Sequence, residues 1–245
     1  MFRTAFARGS RLSVNRLGGW IERQTELCEE ECRSIVAELS SNAHHPVVVD
    51  LGCGNGALTA RVAAAASAQK AVGVDVVQEN AFALKQAGLL PVLSDLDRGV
   101  PLRNECADLV VLSHIIEHVA DTDGLVQECY RILKPGGTLI VATPNLAALA
   151  NIVYLILGKQ PAVAEVSDVA LVGTFSARGA AVGRLGPAHR RMFTKGALVG
   201  LLAYYGFTAV RVVMQGFLPL PTGAARIASK VLPRYAWNIV VQVRK

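Results

Sequence analysis

A short loop of alternating glycines carries the clearest chemical signal in this chain. It follows three valines and an acid in the run Val47-Val48-Val49-Asp50-Leu51-Gly52-Cys53-Gly54-Asn55-Gly56. The valines predict a buried strand from Val47 to Asp50, and the alanine-rich stretch from Ala57 to Ala66 predicts a helix. Because glycine has no Cβ, such a loop lets the backbone approach a ligand closely, and the helix start adds unpaired N–H groups. The pattern therefore predicts a site for a nucleotide-like cofactor.

Two acids near this loop bear on the kind of cofactor that it would bind. Gly52, Gly54 and Ala57 fit the loose dinucleotide fingerprint, which does not decide the matter alone. Asp50 stands two residues before the first glycine, where its charge would repel a pyrophosphate. It suits S-adenosylmethionine (SAM), which carries a sulfonium and an ammonium group. Asp75 ends the next predicted strand, where an acid binds ribose hydroxyls in either cofactor class. Asp50 therefore favours SAM, whereas Asp75 supports a nucleoside without choosing between the two cofactor classes.

The elements expected around the loop form one α/β domain. With 245 residues, 52% of them hydrophobic, the chain is large enough for a core of its own. Strand and helix patterns alternate from residue 47 onward, which predicts a parallel sheet with helices on both faces. Short, right-handed connections make this a doubly wound sheet. We expect a basic N-terminal segment and helix over residues 1–45 and the α/β domain over residues 46–245.

Several motifs in order give the chain a family resemblance. D-L-G-C-G-N-G at 50–56, I-I-E-H-V at 115–119 and L-K-P-G-G at 133–137 resemble successive motifs of class I SAM-dependent methyltransferases, in particular the type 11 group that acts on small molecules and lipids. The resemblance implies a Rossmann-like, seven-stranded, mostly parallel sheet in the order 3-2-1-4-5-7-6. Its sixth strand would be Phe207–Val213, and its antiparallel seventh strand would be Trp237–Val243.

The same resemblance implies a set of cofactor contacts. Beyond the glycine loop and the ribose acid, it places an acid against the adenine amino group and an apolar neighbour against the ring. The residues at the matching positions are Asp50, Gly52, Cys53, Gly54, Asn55, Gly56, Asp75, Val76, Asp95, Leu96, Ser113 and His114. The five cysteines show no zinc spacing. We therefore expect reduced thiols and no metal.

Two segments are expected to cover the carboxyl ends of the strands, where this fold binds ligands. One is the N-terminal helix, predicted from Glu22 to Leu39. The other is a lid insert at about 144–193, which exceeds ordinary connection lengths and has a glycine-rich, pliable second half. The insert ends in G-P-A-H-R-R-M-F-T at 186–194, which is similar to a segment of the same family. Thr194 would cap the next helix, predicted to end at Tyr205.

Histidines near this edge are the candidates for catalysis. Methyl transfer from a sulfonium depends mostly on proximity and alignment. A hydroxyl acceptor also needs a base, and a histidine with a near-neutral pKa suits that role. His189 is favoured, with His114 and His118 as alternatives. We expect SAM-dependent methyl transfer to a small-molecule, lipid or lipid-linked glycan acceptor, at oxygen rather than at nitrogen or carbon.

Charge and hydropathy bear on partners and location. The net charge is +6, and no acid follows Asp168, which fits either a solvated face or an anionic partner. The apolar stretches Leu146–Leu157 and Gly216–Pro221 favour an anionic membrane surface over nucleic acid, although the first stretch fits a core or lid helix equally well. We expect a cytoplasmic, membrane-peripheral protein. The Arg-rich, acid-free stretch Met1–Trp20 leaves mitochondrial import as an alternative.

Two other functions stay open. A nicotinamide-dependent reductase would share the glycines and Asp75, but Asp50 and the absence of a Tyr-x-x-x-Lys pair argue against it. A non-catalytic subunit of the same fold would bind a partner through its basic face, and the intact glycine loop argues against that function. The sequence does not address the oligomeric state.

Overall fold

The computed structural model describes residues 7–40, 46–161, 163–174, 182–183 and 188–245. Its helices are α1 (Ala7–Ser40), α2 (Ala57–Ala65), α3 (Gln78–Gln86), α4 (Thr122–Ile132), α5 (Leu149–Ile156), α6 (Lys195–Tyr204) and α7 (Thr222–Val231). Its strands are β1 (Val47–Leu51), β2 (Lys70–Asp75), β3 (Leu90–Leu93), β4 (Ala107–Ser113), β5 (Leu133–Pro144), β6 (Ala170–Leu171), β7 (Val182–Gly183), β8 (Thr208–Gln215) and β9 (Asn238–Arg244). Short 3-10 helices span Leu96–Arg98 and Pro233–Tyr235.

Seven strands form the central sheet in the order β3-β2-β1-β4-β5-β9-β8. The first five strands are parallel, and β9 runs antiparallel to both β5 and β8. The predicted order 3-2-1-4-5-7-6 is therefore confirmed. The pairing of Asp50 with Val111 brings the carboxyl ends of β1 and β4 side by side. This is the edge at which a doubly wound sheet binds its ligands.

Apolar side chains pack on both faces of the sheet. On one face α4 and α6 contribute Leu125, Ile132 and Leu198 to the core. On the other face α1 and α2 contribute residues such as Ile35 and Val62. The valine-rich strands are buried between these layers, which explains why they are apolar without alternation. Both faces are therefore closed, and ligand access falls to the carboxyl edge.

The N-terminal helix is longer than the sequence predicted. We expected Glu22 to Leu39, whereas α1 extends from Ala7 to Ser40. At the carboxyl edge, Gln24 Oε1 accepts a hydrogen bond from the Phe217 amide at 2.9 Å, and Gln24 O accepts one from Asn238 at 2.8 Å. Val36, three turns later, lies beside Lys134 at the opposite edge. The helix therefore crosses the sheet antiparallel to the parallel strands, with Gln24 at the carboxyl edge.

Three smaller boundaries differ from the prediction. β8 starts at Thr208 rather than Phe207, because the Phe207 amide closes α6 by donating to Leu202 O at 3.1 Å. β9 starts one residue late, at Asn238. Helix α6 ends at Tyr204, one residue before the predicted end. Thr194 caps this helix as predicted, since its hydroxyl accepts from the Ala197 amide at 3.3 Å.

Part of the basic C-terminal third is neutralised inside the molecule. Arg211 of β8 pairs with Glu31 at 3.0 Å and with Glu38 at 2.9 Å, both on α1. Arg226 of α7 pairs with Glu30 of the same helix. The predicted basic face is thus weaker than the sequence count suggests, because the acids that compensate it lie far away in the chain.

The long insert contains two short strands that the sequence did not predict. Strands β6 and β7 pair as a small antiparallel sheet, with Ala170 opposite Gly183. Helix α5 occupies part of the apolar stretch Leu146–Leu157. The glycines at positions 179 and 186, on which the predicted pliability partly depends, lie outside the described residues.

Candidate functional site

The three loop glycines all adopt positive φ angles between β1 and α2. The angles are +75° at Gly52, +53° at Gly54 and +80° at Gly56, a region that residues with a Cβ rarely occupy. A Cβ on Gly52 would come within 2.5 Å of Ile115 Cδ1. A Cβ on Gly54 would meet nothing within 4 Å. Gly52 is thus packed against the protein, while Gly54 faces open space from which a ligand can approach.

Asp75 joins the end of β2 to this loop. Its Oδ2 accepts a hydrogen bond from the Gly54 amide at 2.8 Å, and its Oδ1 accepts from the Val77 amide at 2.8 Å. Asn80 donates to the same Oδ1 at 3.2 Å. These bonds fix a half-buried carboxylate beside the open face of Gly54, where the sequence places a ribose acid.

Apolar side chains stand exposed next to Asp75. Val76 is 64% exposed, and Leu93, which lies opposite Asp75 in the register of β2 and β3, is 58% exposed. Exposed apolar groups at the binding edge of the sheet provide a surface on which a purine face can pack. Val76 was predicted for the site, and Leu93 was not.

Asp50 lies beneath the loop rather than on its open side. The carboxyl is buried, and its Oδ2 accepts a hydrogen bond from the Thr59 hydroxyl at 2.5 Å. Burial raises the pKa of Asp50 to about 6, although the bond from Thr59 opposes this change. A direct contact with the cofactor stays a prediction; the observed position lets Asp50 act through its charge and through its support of the loop.

The other two loop residues have structural partners. Asn55 Oδ1 accepts from the Ala57 amide at 3.1 Å, so it starts helix α2. Cys53 is buried, and burial raises the pKa of its thiol to about 12, which argues against a nucleophilic role. Among the described residues, all five cysteines are free.

The predicted adenine residues lie on the 3-10 helix after β3. Asp95 begins this helix, accepting from the Asp97 amide at 3.1 Å, and Leu96 is buried beneath it. Asp97, which sequence reasoning missed, accepts from the amides of Ala120 at 2.7 Å and Asp121 at 3.1 Å. It ties this 3-10 helix to the turn that follows β4. A lone aspartate in a loop carries no sequence signal for such a role.

A histidine and a buried glutamate follow β4 directly. His114, next to Ser113 at the strand end, has a positive φ of +54°. Its Nδ1 lies 3.3 Å from Glu117 Oε1, and Glu117 Oε2 accepts from the Thr143 hydroxyl at 2.9 Å. Burial alone would raise the pKa of Glu117, but the hydrogen bond and charge of His114 lower this pKa below its ordinary value. His114 Nε2 is buried and has no hydrogen-bond partner in the described part of the chain.

Two further histidines lie near the same glutamate, and both contact the insert. His118 is on the turn after β4, and His189 is near the end of the insert. His118 Nδ1 lies 3.0 Å from Ala188 O. His189 Nδ1 lies 3.0 Å from Val163 O and 2.9 Å from Glu165 Oε2. Burial lowers the pKa of His118. Burial also opposes the charging of His189, but Glu165 outweighs it and raises the pKa of His189.

The histidine rings form one cluster at the mouth of the site. The ring centroids of His118 and His189 are 4.8 Å apart. A cavity of about 430 Å³ opens beside them, lined by His189, Glu165, Arg190 and Arg191 among others. Glu165 was missed, because nothing in the pattern of the insert distinguishes it from a solvated acid.

Glu117, His118 and His189 each bring one ligand-type atom within 4.8 Å of the others. Each side chain is already held by a hydrogen bond to a protein partner. We interpret the group as a hydrogen-bonded network of the acceptor side, and the expectation of no metal stays a prediction.

Known proteins resemble this chain in the region of the glycine loop and the central strands. Residues 49–141 match the family model described as "Methyltransferase domain". The mitochondrial ubiquinone biosynthesis O-methyltransferase of Mus musculus is 33% identical over 137 residues, which cover 49% of this chain and 36% of that protein. The ubiquinone biosynthesis O-methyltransferase of Chelativorans sp. is 30% identical over 101 residues, which cover 40% of each chain. The matched segment thus spans well under two thirds of these curated relatives.

Solved structures share the fold at low sequence identity. A SAM-dependent methyltransferase from Mesorhizobium loti superposes with a TM-score of 0.55 at 22% identity, covering 82% of this chain and 91% of the other. A possible histamine N-methyltransferase from Thermotoga maritima gives 0.56 at 20% identity, covering 96% and 97%. Together with the strand order, these matches show that the chain has the Rossmann-like methyltransferase fold and that its residues 49–141 match the methyltransferase domain family.

Proposed function

We propose that this chain binds SAM in the glycine loop and transfers its methyl group to an oxygen of a small-molecule or lipid acceptor. The observation that carries the proposal is the open side of Gly54, with the fixed Asp75 carboxylate on one flank and the cluster around Glu117 on the other. The first feature suits a nucleoside, and the second suits an acceptor that must lose a proton.

Residues of the loop and of the two strand ends would each bind a different part of the cofactor. Asp75 would bind the ribose hydroxyls, and Val76 and Leu93 would pack against the adenine. Asp50, beneath the loop, would favour the cationic end of the cofactor through its charge. Bound SAM supplies a methyl group that is already activated by its sulfonium. The protein then contributes mostly by holding the acceptor oxygen in line with that methyl group.

Two observations support oxygen as the acceptor atom. Relatives at 30–33% identity are named O-methyltransferases. The group of side chains around Glu117 includes His114 and His189, and either histidine is suited to take a proton from a hydroxyl. The sequence favoured His189, which is held at Nδ1 and therefore presents Nε2.

The insert would act as the cover of this site. Its end is tied to the turn after β4, because the amides of Arg190 and Arg191 donate to Glu117 O at 2.7 Å and 3.1 Å. Its middle is tied to His189 through Val163 and Glu165. The turns of α1 before Gln24, which itself lies at the same edge, would complete the cover.

A membrane surface is the second element of the proposal. Helix α5 exposes apolar side chains, with Ile156 77% exposed and Leu155 and Leu157 each 57% exposed. No helix in the described part of the chain is long and apolar enough to cross a bilayer. An interfacial contact is consistent with a lipid acceptor, and we propose a membrane-peripheral location on that basis. Import into mitochondria, which the names of some relatives suggest for those proteins, stays an alternative.

Calorimetric titration with SAM, with S-adenosylhomocysteine (SAH) and with NADH tests the cofactor. We expect micromolar binding of both adenosyl ligands and none of NADH. Asp75→Ala should weaken SAH binding about ten- to hundredfold, because a hydrogen bond to a charged group contributes about 1.5–3 kcal/mol. Glu105→Gln, a surface substitution near the other edge, is the matched control. NADH binding would restore the reductase alternative, and no adenosyl binding would favour the non-catalytic subunit.

A further inference from the structure

We propose that His114 takes the acceptor proton through Nε2 and that Glu117 is the positioning residue that makes this nitrogen basic. The assignment rests on the proposed function and selects one of the three histidines for the chemical step. It makes His189 a residue of the acceptor pocket and its cover rather than the base.

The location of His114 supports this role. It follows β4 directly, and β4 pairs with β1 immediately before the glycine loop. The next residue, Ile115, packs against Gly52 so closely that a Cβ there would overlap it. His114 is therefore adjacent to the loop in space.

The backbone of His114 shows that its orientation is enforced. A φ of +54° is uncommon for a residue with a Cβ and persists only where its surroundings impose it. The ring is held at Nδ1 by Glu117, and Glu117 is held in turn by Thr143 on β5. All three residues lie on the strand framework or its first turn, so the geometry does not depend on the insert.

The carboxylate fixes the tautomer of the imidazole. An ionised carboxylate only accepts hydrogen bonds, so the Nδ1 atom that faces Glu117 must carry the proton. Burial would raise the pKa of Glu117, but its hydrogen bond with His114 lowers this pKa below the ordinary value, which favours the ionised form. In neutral His114 the lone pair then sits on Nε2. This is the buried nitrogen that has no partner among the described residues.

A buried nitrogen without a hydrogen-bond partner destabilises the protein unless a ligand supplies the missing hydrogen bond. Leaving a buried polar atom unsatisfied costs about 1–3 kcal/mol, so such atoms in native proteins call for an explanation. A hydroxyl that donates to Nε2 removes this cost. His118 and His189 differ, because their Nδ1 atoms are bound to carbonyls of the insert and of the segment that ends it. The rings of His118 and His189 are thus positioned by contacts with the insert, whereas the ring of His114 is positioned by Glu117 on the turn after β4.

The step balances as a proton-coupled displacement. The acceptor O–H bond breaks, and its proton goes to His114 Nε2. The oxygen forms a bond to the methyl carbon as the S–C bond breaks, and that electron pair stays on sulfur to give neutral SAH. The imidazolium is stabilised by the Glu117 carboxylate until it returns the proton to solvent.

Imidazole ¹⁵N NMR of the full-length protein tests the tautomer without an acceptor. We expect His114, assigned by loss of its signals in His114→Asn, to be protonated at Nδ1 and unprotonated at Nε2 at neutral pH. Glu117→Gln should shift the ring toward the Nε2–H tautomer, because the Gln amide can donate to Nδ1. Glu105→Gln should leave it unchanged. An Nε2–H tautomer in the unsubstituted protein would overturn the proposal.

Methyl transfer from labelled SAM to a series of substituted phenols tests the chemistry. His114→Asn, chosen because Asn tolerates positive φ, should lower kcat at least about a hundredfold, as expected for loss of a general base. Glu117→Gln should lower kcat at least tenfold. Both losses should shrink for the more acidic phenols. The thermal stability of both variants should stay within a few degrees of the value for Glu105→Gln, and the SAH affinity of Glu117→Gln should stay within threefold of the value for that control. Intact kcat in either variant would overturn the assignment. If the unsubstituted protein does not bind SAH, the proposed function itself is overturned.

Discussion

Two loop glycines with similar backbone angles face different surroundings, and substitution can separate their roles. Gly52 is packed against Ile115, whereas Gly54 faces open space. Both have positive φ, which costs a residue with a Cβ about 1–2 kcal/mol. Only at Gly52 does overpacking add a further penalty of about 1–3 kcal/mol.

We therefore expect Gly52→Ala and Gly54→Ala to fail in different ways. Gly52→Ala should lower the free energy of unfolding by about 2–5 kcal/mol. Gly54→Ala should lower it by only about 1–2 kcal/mol, yet weaken SAH binding at least tenfold, because its Cβ points into the cofactor space. Urea unfolding and SAH titration of the two variants measure both effects. Equal stability loss with intact SAH binding in Gly54→Ala would show that the ligand does not approach this glycine.

At the scale of elements, the sheet could be predicted from the sequence and the cover could not. The valines of β1 indicate their structure through local propensity and burial. Asp75 was predictable because it ends a strand that such a pattern defines. The partners of His189 were not, since Val163 and Glu165 reach it from about 25 residues away within an insert that has no periodic pattern. Tertiary contacts of this kind leave no local trace.

Helix α5 is the element whose exposure calls for a partner. The sequence left two interpretations open, a core helix and an interfacial one. Asn151 and the preceding Ala148 are buried, while Leu155, Ile156 and Leu157 are exposed. Adjacent exposed apolar residues at the end of a helix favour the interfacial interpretation.

Ile156→Asp should reduce binding to lipid vesicles without changing the fold. The substitution removes exposed apolar area and adds a negative charge that an anionic surface repels. Co-sedimentation with phosphatidylcholine vesicles, with and without phosphatidylglycerol, measures the effect, and we expect at least a fivefold loss on the anionic vesicles. Tyr204→Asp on α6, equally exposed but outside the apolar stretch, is the control. If the unsubstituted protein stays in the supernatant with both vesicles, α5 does not bind membranes.

For the whole molecule, the distribution of charge matters more than its sum. The net charge of +6 suggests a strongly basic protein. Arg211 and Arg226, however, hold α1 against β8 and α7 through Glu30, Glu31 and Glu38. Part of the C-terminal basicity is thus neutralised within the fold, although exposed ion pairs of this kind contribute little each to stability, about 0–1 kcal/mol. An anionic surface would meet fewer free cations than the composition implies.

Stability and cofactor binding make opposite demands on Asp50. Burial raises its folded-state pKa from 3.8 to about 6. Because the folded pKa lies above the unfolded one, its contribution to stability is fully present below about pH 4 and is lost as the pH rises through about 6. Two pKa units correspond to roughly 3 kcal/mol. At neutral pH the fold therefore retains a destabilising carboxylate, which is explained if that charge favours a cationic ligand.

Asp50→Asn should accordingly stabilise the fold while weakening the binding of SAM. We expect the stability that Asp50→Asn gains over the unsubstituted protein, measured as an increase in the free energy of unfolding, to be roughly 2–3 kcal/mol larger at about pH 7.5 than at about pH 4. The reason is that Asp50 carries its charge in the folded protein only at the higher pH. The affinity for SAM should fall more than that for SAH, because only SAM has the sulfonium. Urea unfolding across this pH range and paired titrations measure the two effects, with Thr59→Val as a control that removes the hydrogen bond but keeps the charge. A stability difference that does not vary with pH, or equal losses for SAM and SAH, would mean that Asp50 serves the loop by hydrogen bonding alone.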